Sequence, residues 1–263
     1  VFISSYISPQ DTVLRVNVSR ALPAIGTPLS VNDQEANEAK FLIKNAQVSI
    51  SDEAGNSSDL SYSEENKTYL ADANTLAIVS NQNYFLKVTV DGKEFNATCT
   101  IPSKVAEINE RINFRTDSFG EQEVDINLAF QDIIGEKNFY VLGGLVTTTI
   151  QFENQEPETF SFGLFFESDE FLQDNLLDGD TLNGNSLNYI ASGTEVSETT
   201  ITLQVANVEE ILFQNLRTAS TNADADGNPF VEYAIAPDNF PEEGAVGVFA
   251  GYSLTEKVVD VTL

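Results

Sequence analysis

Residues 83–101 read NYFLKVTVDGKEFNATCTI, and this stretch decides the fold class. Apolar and polar residues alternate through 84–90, and the alternation resumes through 95–101. Such a period of two places the apolar residues on one face of a β-strand. Asp91-Gly92 separates the two runs, and this pair is typical of a two-residue hairpin turn because both central positions of that turn need positive φ. The stretch therefore predicts an antiparallel hairpin with one buried face.

The same alternation recurs upstream in DTVLRVNVS (11–19) and KNAQVSIS (44–51). About seven such strands fit before Pro102, and one apolar face on each predicts two packed sheets. We therefore expect an immunoglobulin-like β-sandwich over residues 1–103. The single cysteine, Cys99, falls on the apolar face of its strand, which predicts a buried structural thiol and excludes an internal disulfide.

Residues 104–263 contain longer alternating runs, which predict a second β-rich domain, either a larger sandwich or a partly closed barrel. One helix is expected near 207–217, where apolar residues recur at helical spacing and Asn207 is a suitable N-cap. Its apolar stripe is expected to pack on a sheet. Two stretches, 168–186 and 218–244, lack a regular pattern and are interpreted as long loops. The fold class predicted for the whole chain is all-β.

The chain is strongly acidic, with 13 Lys and Arg against 41 Asp and Glu and a formal net charge of −28. Residues 138–216 contain no Lys or Arg at all. A field of this sign repels nucleic acid, so a nucleic-acid-binding function is excluded. The charge agrees either with solubility outside the cell or with the binding of divalent cations or basic partners.

The acidic loops raise the question of calcium. Setting Asn222 as the first position of an EF-hand loop places Asp224 and Asp226 at positions 3 and 5, but Tyr233 then occupies position 12, where a glutamate is required. The segment is therefore not an EF-hand. It remains a candidate for an irregular calcium site, and its Asp-Gly-Asn-Pro sequence is equally good turn chemistry.

A second acidic loop offers further candidate calcium ligands. Asp174, Asp178 and Asp180 lie close together in the sequence, and carboxylate oxygens at this density can hold calcium when the loop folds back on itself. Acidic turns on the surface of a highly charged protein have the same appearance. Calcium is the one cofactor that the sequence suggests.

Catalysis finds little support in the residue types. The chain has no histidine, so the most common general base and the histidine-based triads are absent. A carboxylate pair could serve a glycoside hydrolase, but 41 acidic residues make such pairs unavoidable and uninformative. We expect a protein without enzymatic activity.

Several segments together resemble one family over almost the full chain. They are YISPQDTVLRVNVSRALPAIG (6–26), KNAQVSISDEAG (44–55), TCTIP (98–102), FLQDNLLDGDTL (171–182), VANVEEILFQNLRTA (205–219) and NPFVEYAIAPDNFPEEGAVGVFAGYS (228–253). Their order and content resemble an uncharacterised, domain-of-unknown-function family of Bacteroidota outer-membrane surface lipoproteins. The chain departs from the family pattern at 232–234 and has a long insert at 22–44.

The resemblance implies a lipoprotein whose acylated cysteine lies upstream of Val1, on the external face of the outer membrane. Members are often encoded beside TonB-dependent transporters. The expected partner is therefore an outer-membrane β-barrel complex, either such a transporter or the outer-membrane protein assembly machinery. The alternative is a calcium-dependent module that binds an extracellular ligand or glycan. The resemblance also implies a structural role for Asn228-Pro229-Phe230, with Phe230 packed inward, and carries over no catalytic residue.

Overall fold

The computed structural model describes residues 1–20, 37, 40–116, 118, 122–153, 155–174, 178–190, 196–224 and 234–261. Strands account for 57% of the described residues, which confirms the predicted all-β class with one long helix. Contacts divide the chain into two compact units, and each is interrupted in sequence. Unit 1 comprises residues 1–102 and 208–252, and unit 2 comprises residues 103–207 and 253–263.

This division differs from the predicted domains 1–103 and 104–263. The first break lies between Pro102 and Ser103, one residue from the expected position. Residues 208–252 belong with the first unit, however, because the strand that follows the helix pairs with the first strand of the chain. A parallel pairing between the two ends of a chain has no local sequence signal, so the sequence could not reveal it.

Unit 1 begins with the seven strands that the alternating patterns predict. They are β1 (Phe2–Ile7), β2 (Val13–Ser19), β3 (Gln47–Asp52), β4 (Ser57–Ser63), β5 (Thr68–Asp72), β6 (Asn83–Val90) and β7 (Lys93–Thr100). The order β1-β2-β5-β4 and the order β3-β6-β7 are those of an immunoglobulin-like sandwich, as predicted. β4 pairs first with β3 and then with β5, so it passes from one layer to the other.

The hairpin of β6 and β7 forms as its sequence indicates. Asp91 and Gly92 form its turn with φ of 50° and 81°, the positive values that this turn requires. The alternating apolar residues of both strands are buried and form part of the unit 1 core. Cys99 is among them, 1% exposed, which confirms the predicted buried thiol.

The helix α1 (Glu210–Asp224) belongs to unit 1 and is longer than predicted. Asn207 does not cap it, because Asn207 lies in the preceding strand and is fully buried, with its side-chain amide donating to the Ser103 carbonyl. Leu212 and Phe213 are buried. The helix continues past Leu216 into the stretch predicted as a loop from residue 218.

Glu209, directly before α1, connects two strands of unit 1. Its Oε1 accepts a hydrogen bond from the Thr100 backbone N–H and its Oε2 accepts one from the Gly251 backbone N–H, both at 2.7 Å. Gly251 lies in β15 (Val246–Val261), whose start pairs in parallel with β1. The carboxylate therefore joins the end of β7 to β15 through their backbones.

Unit 2 contains two sheets around its own core. The strands that build it, together with the end of β15, are β8 (Asn109–Thr116), β9 (Gln122–Gln131), β10 (Phe139–Ile150), β11 (Glu158–Gly163), β12 (Phe171–Gln173), β13 (Thr181–Ile190) and β14 (Val196–Val208). One sheet has the order β11-β10-β14-β15, with β12 also paired to β10, and the other has the order β13-β9-β8. Among the described strands no barrel closes, so the sandwich is the correct one of the two predicted architectures.

The strand β13 corrects the interpretation of 168–186 as a loop. Residues 181–190 pair with β9 along its full length. The inward positions of β13 include Gly184, Ser186 and Asn188, all buried despite being small or polar. Because these positions are not apolar, the strand shows no hydrophobic alternation in the sequence. Ser186 is accommodated because its hydroxyl donates to the Phe165 carbonyl.

Candidate functional site

Three carboxylates from separate parts of unit 2 meet at one end of its strands. Asp132 follows β9, Asp174 follows β12, and Asp178 precedes β13. The pairing of β9 with β13 and of β12 with β10 brings these strand ends together. One oxygen of each carboxylate lies within 4.8 Å of the other two. We call these three residues the acidic cluster.

The protein holds two members of the acidic cluster by hydrogen bonds. Buried Asp132 accepts the Tyr140 hydroxyl at Oδ1 (2.6 Å) and the Gly179 backbone N–H at Oδ2 (2.9 Å). Exposed Asp178 accepts the Gly135 backbone N–H at Oδ1 (2.7 Å). Both glycines have φ near +80 to +90°, which permits the tight turns that aim these N–H groups at carboxylates.

Negative charge accumulates in the acidic cluster. Burial, followed by the charges of Asp132 and Asp178, raises the pKa of the Asp174 carboxyl above its ordinary value. Burial and the hydrogen bond to Asp132 raise the pKa of the Tyr140 hydroxyl, which therefore remains a donor. A hard cation such as calcium would relieve this repulsion, since calcium takes several carboxylate oxygens at 2.3–2.6 Å. The spacing of the three oxygens suits such an ion.

A second feature of unit 2 is an exposed apolar edge on β11. All six residues of β11 are exposed, and β11 stands at the end of its sheet, paired with β10. Phe160 is 51% exposed and Phe162 is 38% exposed. They lie opposite Thr148 and Val146 of β10, both buried. Since side chains of directly paired residues share a face, the two phenylalanines extend the core-facing side of the sheet into solvent. We call Phe160 and Phe162 the phenylalanine edge.

The strand that carries the phenylalanine edge is firmly attached. Six residue pairs join β11 to β10. On the opposite face, the hydroxyls of Thr147 and Ser161 lie 2.9 Å apart and those of Thr149 and Thr159 lie 3.1 Å apart. The exposed phenylalanines are thus presented by a regular, hydrogen-bonded strand.

Comparison with known families identifies the chain as a whole. A family model described as a domain of unknown function, DUF4249, matches residues 1–258. The chain belongs to this family. The match spans sequence from both units, so the DUF4249 family is defined by both of them together. It confirms the resemblance to a family of unknown function, and a search of curated proteins finds no match.

The five predicted calcium ligands of this DUF4249 chain do not all lie at one site. Asp174 and Asp178 both belong to the acidic cluster. Asp180 is exposed and outside that cluster, although its backbone carbonyl accepts the Asp132 N–H at 2.9 Å. Asp224 is the last residue of α1, and its side chain lies outside the described part of the structure. Asp226 also lies outside the described residues, as does the predicted Asn-Pro-Phe element at 228–230.

Sequence reasoning missed Asp132, the buried centre of the acidic cluster. It lies more than 40 positions from its partners in the sequence, at the end of a strand that reads as ordinary. Only the register of β9 with β13 places it beside Asp178. The phenylalanine edge was also missed, because alternating phenylalanines in 158–163 normally indicate a buried face. Within the described residues, no helix has the length and apolarity needed to cross a membrane.

Proposed function

We propose that this protein is a non-enzymatic accessory subunit that docks on an outer-membrane β-barrel complex. In this proposal it is a Bacteroidota lipoprotein held on the external face of the outer membrane by a lipid anchor upstream of Val1. Its partner is a TonB-dependent transporter or the outer-membrane protein assembly machinery. The resemblance described above supports the location and the class of partner, and the phenylalanine edge supports docking.

The phenylalanine edge is the observation that carries the docking function. Large apolar side chains exposed together on one strand are a feature of interaction sites. An exposed edge strand is also hazardous, because it can pair with other chains, and soluble proteins usually shield such strands. The two phenylalanines here are placed on the core-facing side of a well-paired strand. A bound partner would cover them.

Extraction in a mild detergent tests this function. The full-length protein, with its own leader, is expressed in its native cells, recovered through an affinity tag, and its companions are identified by mass spectrometry. We expect a β-barrel protein of the outer membrane at a fixed ratio to the chain. Recovery of the chain as a free monomer would contradict the proposal.

A second candidate function is a calcium-dependent module that binds an extracellular ligand or glycan. The acidic cluster favours it, because folding brings two of the predicted ligands together with a buried third carboxylate. In this proposal Asp132, Asp174 and Asp178 provide oxygen ligands, and hydrogen bonds from Tyr140 and Gly179 fix the orientation of Asp132.

Calorimetric titration with calcium tests the second candidate. Wild type should show a stoichiometric site, and Asp178→Asn should weaken it by at least about tenfold, because a charged ligand is lost while the acceptor for Gly135 is kept. The matched control is Asp180→Asn, two residues along the same turn and outside the acidic cluster, which should bind as wild type does. No heat of binding in wild type would remove this candidate.

A further inference from the structure

We propose that β11 accepts an extended segment of the partner as an added antiparallel or parallel strand, and that this segment carries apolar residues opposite the phenylalanine edge and basic residues at the end that lies beside Glu158. This inference deepens the docking function proposed above and depends on it. It names the mode of contact and the chemistry of the partner, which the docking function alone leaves open.

The position of β11 provides the mode of contact. Within the described part of the chain, β10 pairs with one side of β11, and β11 ends the strand order of its sheet. The backbone N–H and C=O groups on its other side are therefore available to an incoming strand. Addition of a strand to an open sheet edge is a common way of recognising an extended segment, in which backbone hydrogen bonds provide affinity and side chains provide specificity.

The phenylalanine edge provides the apolar half of the specificity. Residues at alternate positions of an added strand would lie beside Phe160 and Phe162, since side chains of neighbouring strands meet on the same face. The exposure of Phe160 and Phe162 identifies β11 as a strand that is incompletely covered.

Exposed acidic residues near β11 provide the second part of the specificity, which is a preference for basic residues in the partner segment. Glu153, Glu156 and Glu158 lie in the segment that leads into β11 and at its first position, and all three are exposed. Residues 138–216 contain no Lys or Arg that could neutralise them from within the same stretch. An acidic strand would be repelled by these carboxylates, and a neutral strand would not be attracted by them. Glu158 is paired with Ile150 and lies on the same face of β11 as Phe160 and Phe162. A strand with lysine or arginine at the end beside Glu158 would gain attraction at close range.

A peptide of defined sequence tests the apolar contacts and the charge contacts together. The probe is a blocked peptide of about eight residues with valine at alternate positions and lysines at one end, and its binding to the purified chain is measured by fluorescence anisotropy. A second peptide carries glutamate in place of lysine, and two others carry N-methyl groups at alternate backbone positions. We expect binding by the lysine peptide, at least about tenfold weaker binding by the glutamate peptide, and loss of binding when the N-methyl groups face β11.

Variants of the chain locate the binding site of the peptide. Phe160→Ser with Phe162→Ser should weaken the lysine peptide by at least about tenfold, because two large apolar contacts are lost. The matched control is Leu145→Ser, since Leu145 is 42% exposed on β10, opposite Gly163 of β11, and outside the phenylalanine edge. Circular dichroism confirms that each variant is folded. Equal binding by the two charged peptides, by both methylated peptides, or by the double variant would overturn the inference.

The peptide experiment and the co-purification experiment can fail independently of each other. If wild type co-purifies with a barrel protein but the peptide result is negative, the strand-addition mode fails and docking stands. If wild type is recovered alone from mild detergent, docking fails, whatever the peptide does.

Discussion

Replacing Glu209 with glutamine should destabilise unit 1. Among substitutions of an acidic residue by its amide in α1 or directly before it, this one should have the largest effect. The carboxylate accepts backbone N–H groups of Thr100 and Gly251 with different oxygens, both at 2.7 Å. Glutamine keeps one carbonyl oxygen and places an NH₂ group against the other N–H. One charge-assisted hydrogen bond is lost, and the remaining one becomes neutral.

The expected loss follows from these two contacts. A hydrogen bond to a charged group contributes about 1.5–3 kcal/mol, and leaving a buried N–H without a partner costs a similar amount. Burial raises the pKa of the Glu209 carboxyl despite these two bonds, so the cost of burying the charge cancels the gain from charge assistance, and the loss that remains is that of an N–H group left without an acceptor. We therefore expect Glu209→Gln to lower the free energy of unfolding by about 1–3 kcal/mol at pH 7.

Thermal and urea unfolding followed by circular dichroism measure this change. The matched control is Glu210→Gln, one residue later on the exposed start of α1, where a loss of at most about 0.5 kcal/mol is expected. Equal effects of the two substitutions would contradict this expectation, because the loss would then come from charge alone and not from the bonds to β7 and β15.

The pH dependence of Glu209→Gln provides a second readout. Because the pKa of Glu209 is raised in the folded state, the folded protein binds more protons than the unfolded chain between the unfolded-state value and the raised value. The stability contributed by Glu209 therefore falls as pH rises from about 4.5 through this window. The stability gap between wild type and Glu209→Gln should narrow over the same window. A constant gap would show that the pKa is not raised.

Three further predictions concern contacts inside unit 1 or inside unit 2. Gly247→Ala should prevent folding or lower the free energy of unfolding by more than about 3 kcal/mol, because φ is 140° and a Cβ would clash with the Ile3 carbonyl of β1. Gly163→Ala is the control and should change stability little, because a Cβ there would enter open space. Cys99 should react with a thiol reagent only after denaturation, because burial raises the pKa of its thiol, and rapid labelling of the native protein would contradict this. Tyr140→Phe should lower stability by about 1–3 kcal/mol in urea unfolding, because buried Asp132 loses the hydroxyl donor, and an unchanged midpoint would show that another donor replaces it.

Local pattern was sufficient to predict most of unit 1. The strands β2, β3, β6 and β7 alternate clearly between apolar and polar residues, and the turn at Asp91-Gly92 has chemistry that permits only a few backbone conformations. Each strand therefore carries its own signal, and seven of them with one apolar face determine a sandwich. The sequence could not show that β15 joins this unit, since its pairing with β1 links residues more than 240 positions apart.

Unit 2 was harder to predict because its inward positions are less apolar. Gly184, Ser186 and Asn188 fill the buried face of β13, and the phenylalanines on the core-facing side of β11 are exposed. Hydrophobic alternation therefore predicts a loop at β13 and a buried strand at β11, and the structure has neither. The acidic cluster was predicted in part, since Asp174 and Asp178 are neighbours in sequence, while Asp132 joins them only through strand register.

The most direct test of the account is a photo-crosslink made in the native cells. A photoreactive phenylalanine analogue is placed at Phe160 of the full-length protein, and a second version carries it at Leu145 as the matched control. We expect position 160 to crosslink to an outer-membrane β-barrel protein, through a basic and apolar segment, and position 145 to give no such crosslink. Absence of a protein crosslink at both positions, with the chain recovered as a monomer, would contradict it.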